Sequence, residues 1–161
     1  MKNQLFLRRL VREKKLQIIE PDVDIANAYL SRALESLSSS KALLNVGNLK
    51  DSVALSYYAM YHSVLALLFR IGVKCENHTA AIILLKELFQ IDNSQISHAK
   101  KERVDKQYYV DFTVTHQEVS QAIKTAEDFI AQIKRAIEKL TNVEIARIRR
   151  SAAKLLGVRF K

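Results

Sequence analysis

Residues 115–140 read THQEVSQAIKTAEDFIAQIKRAIEKL, and this stretch decides the fold class. Thr115 and Glu118 have capping-box spacing, in which each side chain satisfies a backbone N–H that the first turn of a helix leaves without a partner. Beyond the cap, Val119, Ile123, Ala126, Ile130, Ile133, Ile137 and Leu140 recur at spacings of four and three. A repeat of about 3.5 residues lays an apolar seam along one face of a helix of roughly six turns. Such a helix is stable only when its seam is buried against other elements.

The same signals continue on both sides. Thr141 and Glu144 repeat the capping-box spacing, which predicts a further helix from Asn142 to Leu156, closed by Gly157. Upstream, Pro21 interrupts the pattern and Asp22 or Asp24 can cap a helix from about Val23 to Val46. Its stripe is Ala26, Leu30, Ala33, Leu37 and Leu44, and Gly47-Asn48 ends it. A third helix is expected from Leu49 to Ile71, stopped by Gly72. A fourth follows Asn77 or Thr79 and carries Ile82, Ile83, Leu85, Leu88 and Phe89. An initial helix is expected within residues 3–16 and a short one from Ile91 to Val104, with Tyr108 to Val114 extended. Only three Gly and one Pro occur in 161 residues, so long helices with short connections are favoured. The expected architecture is all-α, an up-and-down bundle of four to five helices with extra basic helices at both ends. It forms a single domain, 1–161, with the core bundle at about 22–140 and basic ends at 1–20 and 141–161.

Charge is distributed unevenly along this chain. Residues 1–20 hold six Lys/Arg and two Glu, and residues 141–161 hold six Lys/Arg and one Glu. The middle is balanced, so the net charge of +9 lies wholly at the ends. Clustered Lys and Arg suit nucleic-acid phosphates; they also suit a solvated helix face, an acidic partner or an anionic membrane surface. The lone Cys75 excludes an internal disulfide, and the first residues lack a signal-peptide core, so a reduced, cytoplasmic protein is expected. The most apolar stretch, Val53 to Phe69, is interrupted by Ser56, Tyr57, Tyr58, His62 and Ser63, which reads as a buried bundle helix and not a membrane span. No His/Cys/carboxylate set has metal spacing and no glycine-rich phosphate loop is present, so no metal and no cofactor are expected.

Two segments carry possible chemistry. One is Ser56-Tyr57-Tyr58-Ala59-Met60-Tyr61-His62, followed by Arg70 and Gly72; the other is Arg103-Val104-Asp105-Lys106-Gln107-Tyr108-Tyr109. Asn77-His78-Thr79 lies between them. This pattern resembles the HEPN family of small helical domains over about residues 22–140. The YYAMYH segment on the long central helix is the closest match. The resemblance implies a helical bundle, often dimeric, engaged in RNA or nucleotide transactions. Many HEPN domains are metal-independent ribonucleases that use an arginine and a histidine four to six residues later; others are inactive binding modules. Many are the toxin half of a toxin–antitoxin pair with a minimal nucleotidyltransferase. Here the catalytic pattern is interrupted, because Tyr108 stands where that histidine would fall after Arg103.

Three readings therefore stand together: an RNA- or nucleotide-associated module with a nucleotidyltransferase-type partner, a catalytically inactive dimeric adaptor, and a metal-independent endoribonuclease. For catalysis, Arg103 is the candidate phosphate stabiliser and His62 or His78 the proton carrier, since imidazole titrates near neutrality and guanidinium matches a phosphorane. Tyr58, Tyr61, Arg70, Tyr108, Tyr109, Arg147, Arg149 and Arg150 are the candidate nucleotide or RNA contacts. Each also has a structural reading. His62 can satisfy Tyr58 one turn earlier, the tyrosines can be core residues, and Arg70 suits the dipole at a helix C-terminus.

Overall fold

The structure, a computed structural model, describes residues 1–108 and 113–159. The protein is all-α, and a single two-stranded ladder is its only sheet among the described residues. The helices are α1 (Lys2–Arg12), α2 (Val23–Asn45), α3 (Leu49–Arg70), α4 (His78–Phe89), α5 (Ser94–Tyr108), α6 (His116–Glu138) and α7 (Asn142–Leu156). The strands are β1 (Leu16–Ile18) and β2 (Val73–Cys75).

Helix α3 is the axis of the molecule. By length and composition it could cross a membrane, but 83% of that apolar window is buried inside the protein, against α2, α5 and α6. Helix α2 runs antiparallel to it, and small residues let the two backbones approach. Ser40 and Ser52 are both fully buried, and each hydroxyl donates to the other's carbonyl, at 2.7 and 2.6 Å. Those bonds offset the cost of burying two hydroxyls. The seam of α6 closes the third side: Val119, Ile123, Ala126, Phe129, Ile130 and Ile133 are all buried.

The caps follow the sequence. Asp22 accepts from the Ile25 N–H, Asn77 from the Ala80 N–H, and the Thr115–Glu118 box closes in both directions. Thr141 accepts from the Glu144 N–H, but the Glu144 carboxylate accepts from Arg147 at 2.9 Å. The expected second box therefore forms in one direction only.

Three boundaries differ from expectation. Helix α1 stops at Arg12, because Lys14 turns the chain through a left-handed φ of 60° into β1. β1 then pairs antiparallel with β2, placing Leu16 against Cys75 and Ile18 against Val73. Three-residue strands are too short to leave a period in the sequence. Helix α5 begins and ends later than residues 91–104, and its last residue, Tyr108, is helical where an extended start was expected. The rest of that expected strand lies outside the described residues, apart from 113–114, which form no regular element.

The two basic ends are built into the fold. Leu7 and Leu10 of α1, and Ile148, Ala152 and Leu156 of α7, belong to the core. Arg8 of α1 donates to the carbonyls of Leu155 and Lys154, which supplies a cation to the C-terminal end of α7.

Candidate functional site

The centre of the site is one turn and a half of α3. Tyr57 and Tyr61 lie four residues apart on one helical face, and Tyr58 and His62 lie on the next. Tyr57 is fully buried and Tyr61 nearly so, whereas Tyr58 and His62 are half-buried.

The β1–β2 ladder brings a second element to this face. After α3 ends, Gly72 turns the chain at φ 73°, β2 runs back along β1, and Asn77 caps α4 so that His78 is its first residue. There the His78 ring stacks on Tyr61 with centroids 3.8 Å apart and planes 14° apart. Its Nδ1 lies 2.7 Å from the Tyr57 hydroxyl.

Helix α5 supplies the cation. Arg103 Nη1 donates to the Tyr58 hydroxyl at 3.0 Å, and the guanidinium carbon sits 5.6 and 5.4 Å from the Tyr57 and Tyr58 ring centroids. Such cation–π contacts hold a guanidinium in place while leaving its donors directed along the ring faces. One turn earlier, Lys100 donates to Thr79 Oγ1 at 2.8 Å. On the far side, His62 faces Ser36 of α2, with Nδ1 3.5 Å from Oγ, and its ring lies 6.1 Å from that of Tyr29.

Tyr58 therefore stands between the two histidines, at ring distances of 6.1 Å to His62 and 6.2 Å to His78. Arg103, His62 and His78, the three candidate catalytic residues, come from three helices onto one patch. Of the candidate ligand-contacting residues, Tyr58 and Tyr61 belong to it. Tyr109 lies outside the described residues, and Tyr108 is described only as the last residue of α5. Arg70 sits in the last turn of α3, eight residues past His62, and makes no ring or hydrogen-bond contact with the cluster among the described residues.

The three arginines of α7 have separate fates. Arg147 pairs with Glu144, and Arg150 is exposed. Arg149 turns inward, where Nη1 donates to the carbonyls of Ile19 at 2.7 Å and Ile71 at 2.8 Å. That guanidinium clamps the end of α3 to the segment after β1, a structural duty the spacing of basic residues does not disclose.

The electrostatics keep the cluster uncharged apart from its cations. Burial pushes His78 below the ordinary histidine range, and the Arg103 and Lys100 charges add to this. Burial likewise lowers His62, helped by Arg32 and by His78. Tyr57 and Tyr61 are pushed well above the ordinary phenol range, in both cases chiefly by burial. At neutral pH the patch thus presents two neutral imidazoles and two protonated phenols beside a guanidinium. By contrast, Cys75, with its thiol pushed up to about 11 by burial, is unreactive.

A consequence for stability follows. An unfolded chain protonates histidine near pH 6.5, whereas the folded protein resists it at both sites. In the window below about pH 6.5, the unfolded state binds more protons, so stability falls as the pH falls. The urea midpoint is expected to drop between about pH 7.5 and pH 5, and a His62→Gln/His78→Gln double variant to show a flatter dependence. An equal slope in both proteins would show that neither histidine is held neutral.

A cavity of about 480 Å³ lies elsewhere, between α3, α5 and α6, lined by Glu102, Glu118, Gln95 and Gln121 among others. Its two carboxylates, with no Lys or Arg among the described residues that line it, make it unsuited to a phosphate.

Tyr57 as the partner of His78, Lys100, Thr79 and Ser36 were not legible from the sequence. Residues 57 and 78 meet because the chain returns through β2, paired with β1, and no spacing rule links them.

Fold and site together define a helical domain whose central helix carries tyrosines and a histidine, met by an arginine and a second histidine from neighbouring helices. Comparison with known proteins places that domain. The model of the HEPN domain matches residues 26–137, and the chain belongs to the HEPN family. It is 30% identical over 120 residues to Putative toxin MJ0605 of Methanocaldococcus jannaschii, covering 70% of this chain and 89% of that one. It is 42% identical over 48 residues to UPF0332 protein PH1297 of Pyrococcus horikoshii, covering 30% of this chain and 34% of that one. The family match covers neither α1 nor α7.

Proposed function

We propose that this protein is a cytoplasmic, RNA-associated HEPN protein that acts as the toxin half of a toxin–antitoxin pair, with a nucleotidyltransferase-type protein as partner. The observation that carries the RNA reading is the convergence of Arg103, His62 and His78 around Tyr58. A guanidinium suits a phosphodiester, and half-buried aromatic faces suit unpaired bases. The toxin role is supported by the similarity to a protein named as a toxin.

The two neutral imidazoles favour cleavage as a second reading. In it, the 2′-oxygen attacks phosphorus while its proton passes to an imidazole. The bond from phosphorus to the 5′-oxygen breaks, and that oxygen takes a proton from the imidazolium or from water. Arg103 neutralises the phosphorane between these steps. The adaptor reading keeps the interrupted Arg103-to-Tyr108 pattern on its side, but the α6 seam from Val119 to Ile133 is buried within the chain and offers a partner no surface. A homodimer remains part of the proposal, through faces other than that seam.

The exposed cations Arg150 and Lys154 of α7, with Arg9 and Arg12 of α1, are proposed as further phosphate contacts. Deleting these helices would remove core residues, so the test neutralises charge instead. A labelled mixed-sequence RNA is titrated with the full-length protein at about 50 and 200 mM salt, and cleavage is followed on a gel. Three or four single-strand phosphate contacts would weaken binding roughly 20- to 50-fold across that range. An Arg150→Gln/Lys154→Gln variant should lower the logarithmic salt slope by about 1.4. No binding at low salt would overturn the RNA reading.

A further inference from the structure

Tyr57 has one hydroxyl proton and, among the described residues, a single neighbour to receive it. Its side chain is fully buried, and its only hydrogen-bond partner among the described residues is His78 Nδ1, at 2.7 Å. Two arrangements fit that distance. In the first, the phenol donates to Nδ1, and the imidazole carries its proton on Nε2. In the second, Nδ1–H donates to the phenol oxygen, and the phenol proton is left without an acceptor in the core. An orphaned buried donor costs more than an unused oxygen lone pair. The first arrangement therefore wins.

We infer that Tyr57 is a positioning residue that holds His78 as the Nε2–H tautomer, so that His78 meets an RNA phosphate as a hydrogen-bond donor and not as a base. The ligand in this statement rests on the RNA reading above; the tautomer does not. Protonating His78 would force an Nδ1–H onto the phenol oxygen and orphan the phenol proton, so Tyr57 itself opposes the imidazolium. Burial and the Arg103 and Lys100 charges act in the same direction. The stack on Tyr61 fixes the plane of the ring and hence the direction of the Nε2–H bond. A neutral imidazole N–H beside Arg103 and Lys100 forms a set of donors drawn from α4 and α5, suited to the oxygens of one phosphate. Taking up the 2′-hydroxyl proton then falls to His62, whose Nδ1 is 3.5 Å from Ser36 Oγ and not in contact with Tyr57.

The test uses the full-length protein labelled with nitrogen-15. Long-range proton–nitrogen correlations of the histidine side chains, at a pH where His78 is neutral, report which ring nitrogen carries the proton. The Nε2–H form is expected, and a Tyr57→Phe variant should shift His78 toward a mixture of tautomers. A wild-type Nδ1–H form would overturn the assignment. Binding of a short RNA oligonucleotide tests the role. His78→Gln keeps a side-chain N–H and is expected to bind within about threefold of wild type, while His78→Ala loses about tenfold. Equal losses in the two variants would overturn the donor role. If the tautomer is Nε2–H but the wild-type protein binds no RNA at all, the RNA reading falls, and with it this ligand, while the assignment of Tyr57 stands.

Discussion

Replacing Gly72 by alanine is expected to be among the most damaging single changes in this chain, with a loss of about 3–5 kcal/mol of folding stability. Two effects combine. The residue holds φ at 73°, where any Cβ is strained. The added carbon would also fall 2.0 Å from Arg149 Nη1 and 2.3 Å from the Ile19 carbonyl oxygen. Those are the partners in the clamp between α7, the end of α3 and the segment after β1. The methyl group must displace the guanidinium, and the Ile19 and Ile71 carbonyls then lose the one charged donor they share, at about 1.5–3 kcal/mol. The check is urea unfolding, with Gly47→Ala as the control. Gly47 has a φ of 77°, but its Cβ would meet nothing within 4 Å, so only the backbone term of about 1–2 kcal/mol applies. Equal losses at the two glycines would show that the clamp contributes nothing.

The same position shows where the sequence can be read and where it cannot. Gly72 is recognisable as the residue that stops the central helix, because a helix end of this kind needs a left-handed residue. That it also makes room for a side chain 77 positions later is invisible, since no local rule ties it to Arg149. The helices were legible for the complementary reason: caps such as Asp22, Asn77 and Thr115, and the seam from Val119 to Ile133, act over a few residues. The ladder of β1 and β2 was not, and the site depends on it. YYAMYH and Arg103 could be picked out as chemistry-bearing groups, but the return of the chain along β1 is what stacks His78 on Tyr61. The basic ends show the opposite error. Arg147, Arg149 and Arg150 look alike in sequence, whereas the fold pairs one with Glu144, turns the half-buried second onto carbonyls and leaves the third exposed.

Among the site residues, Arg103 is where substitution should change function most while leaving the fold intact. Arg103→Ala is expected to weaken RNA binding at least about tenfold, the effect of removing a charged hydrogen bond to phosphate. The cost to stability should be moderate, because the change removes the hydrogen bond to the Tyr58 hydroxyl along with cation–π contacts of about 0.5–1 kcal/mol each. Arg103→Lys separates charge from shape. Lysine keeps the positive charge that adds to burial in lowering His78, but it has no planar fork to lie against Tyr57 and Tyr58. An intermediate affinity is therefore expected, closer to alanine if two phosphate oxygens are bound in parallel and closer to wild type if charge alone matters. Affinity unchanged in a folded alanine variant would mean that the tyrosine and histidine patch does not meet RNA. Any salt-sensitive binding would then belong to α1 and α7, whose exposed cations lie outside the family domain. The neutral imidazoles would in that case have to be explained as core residues. The Tyr57 bond and the Tyr61 stack on His78 would then serve the core, since a partly buried imidazole needs a hydrogen-bond partner whatever its role.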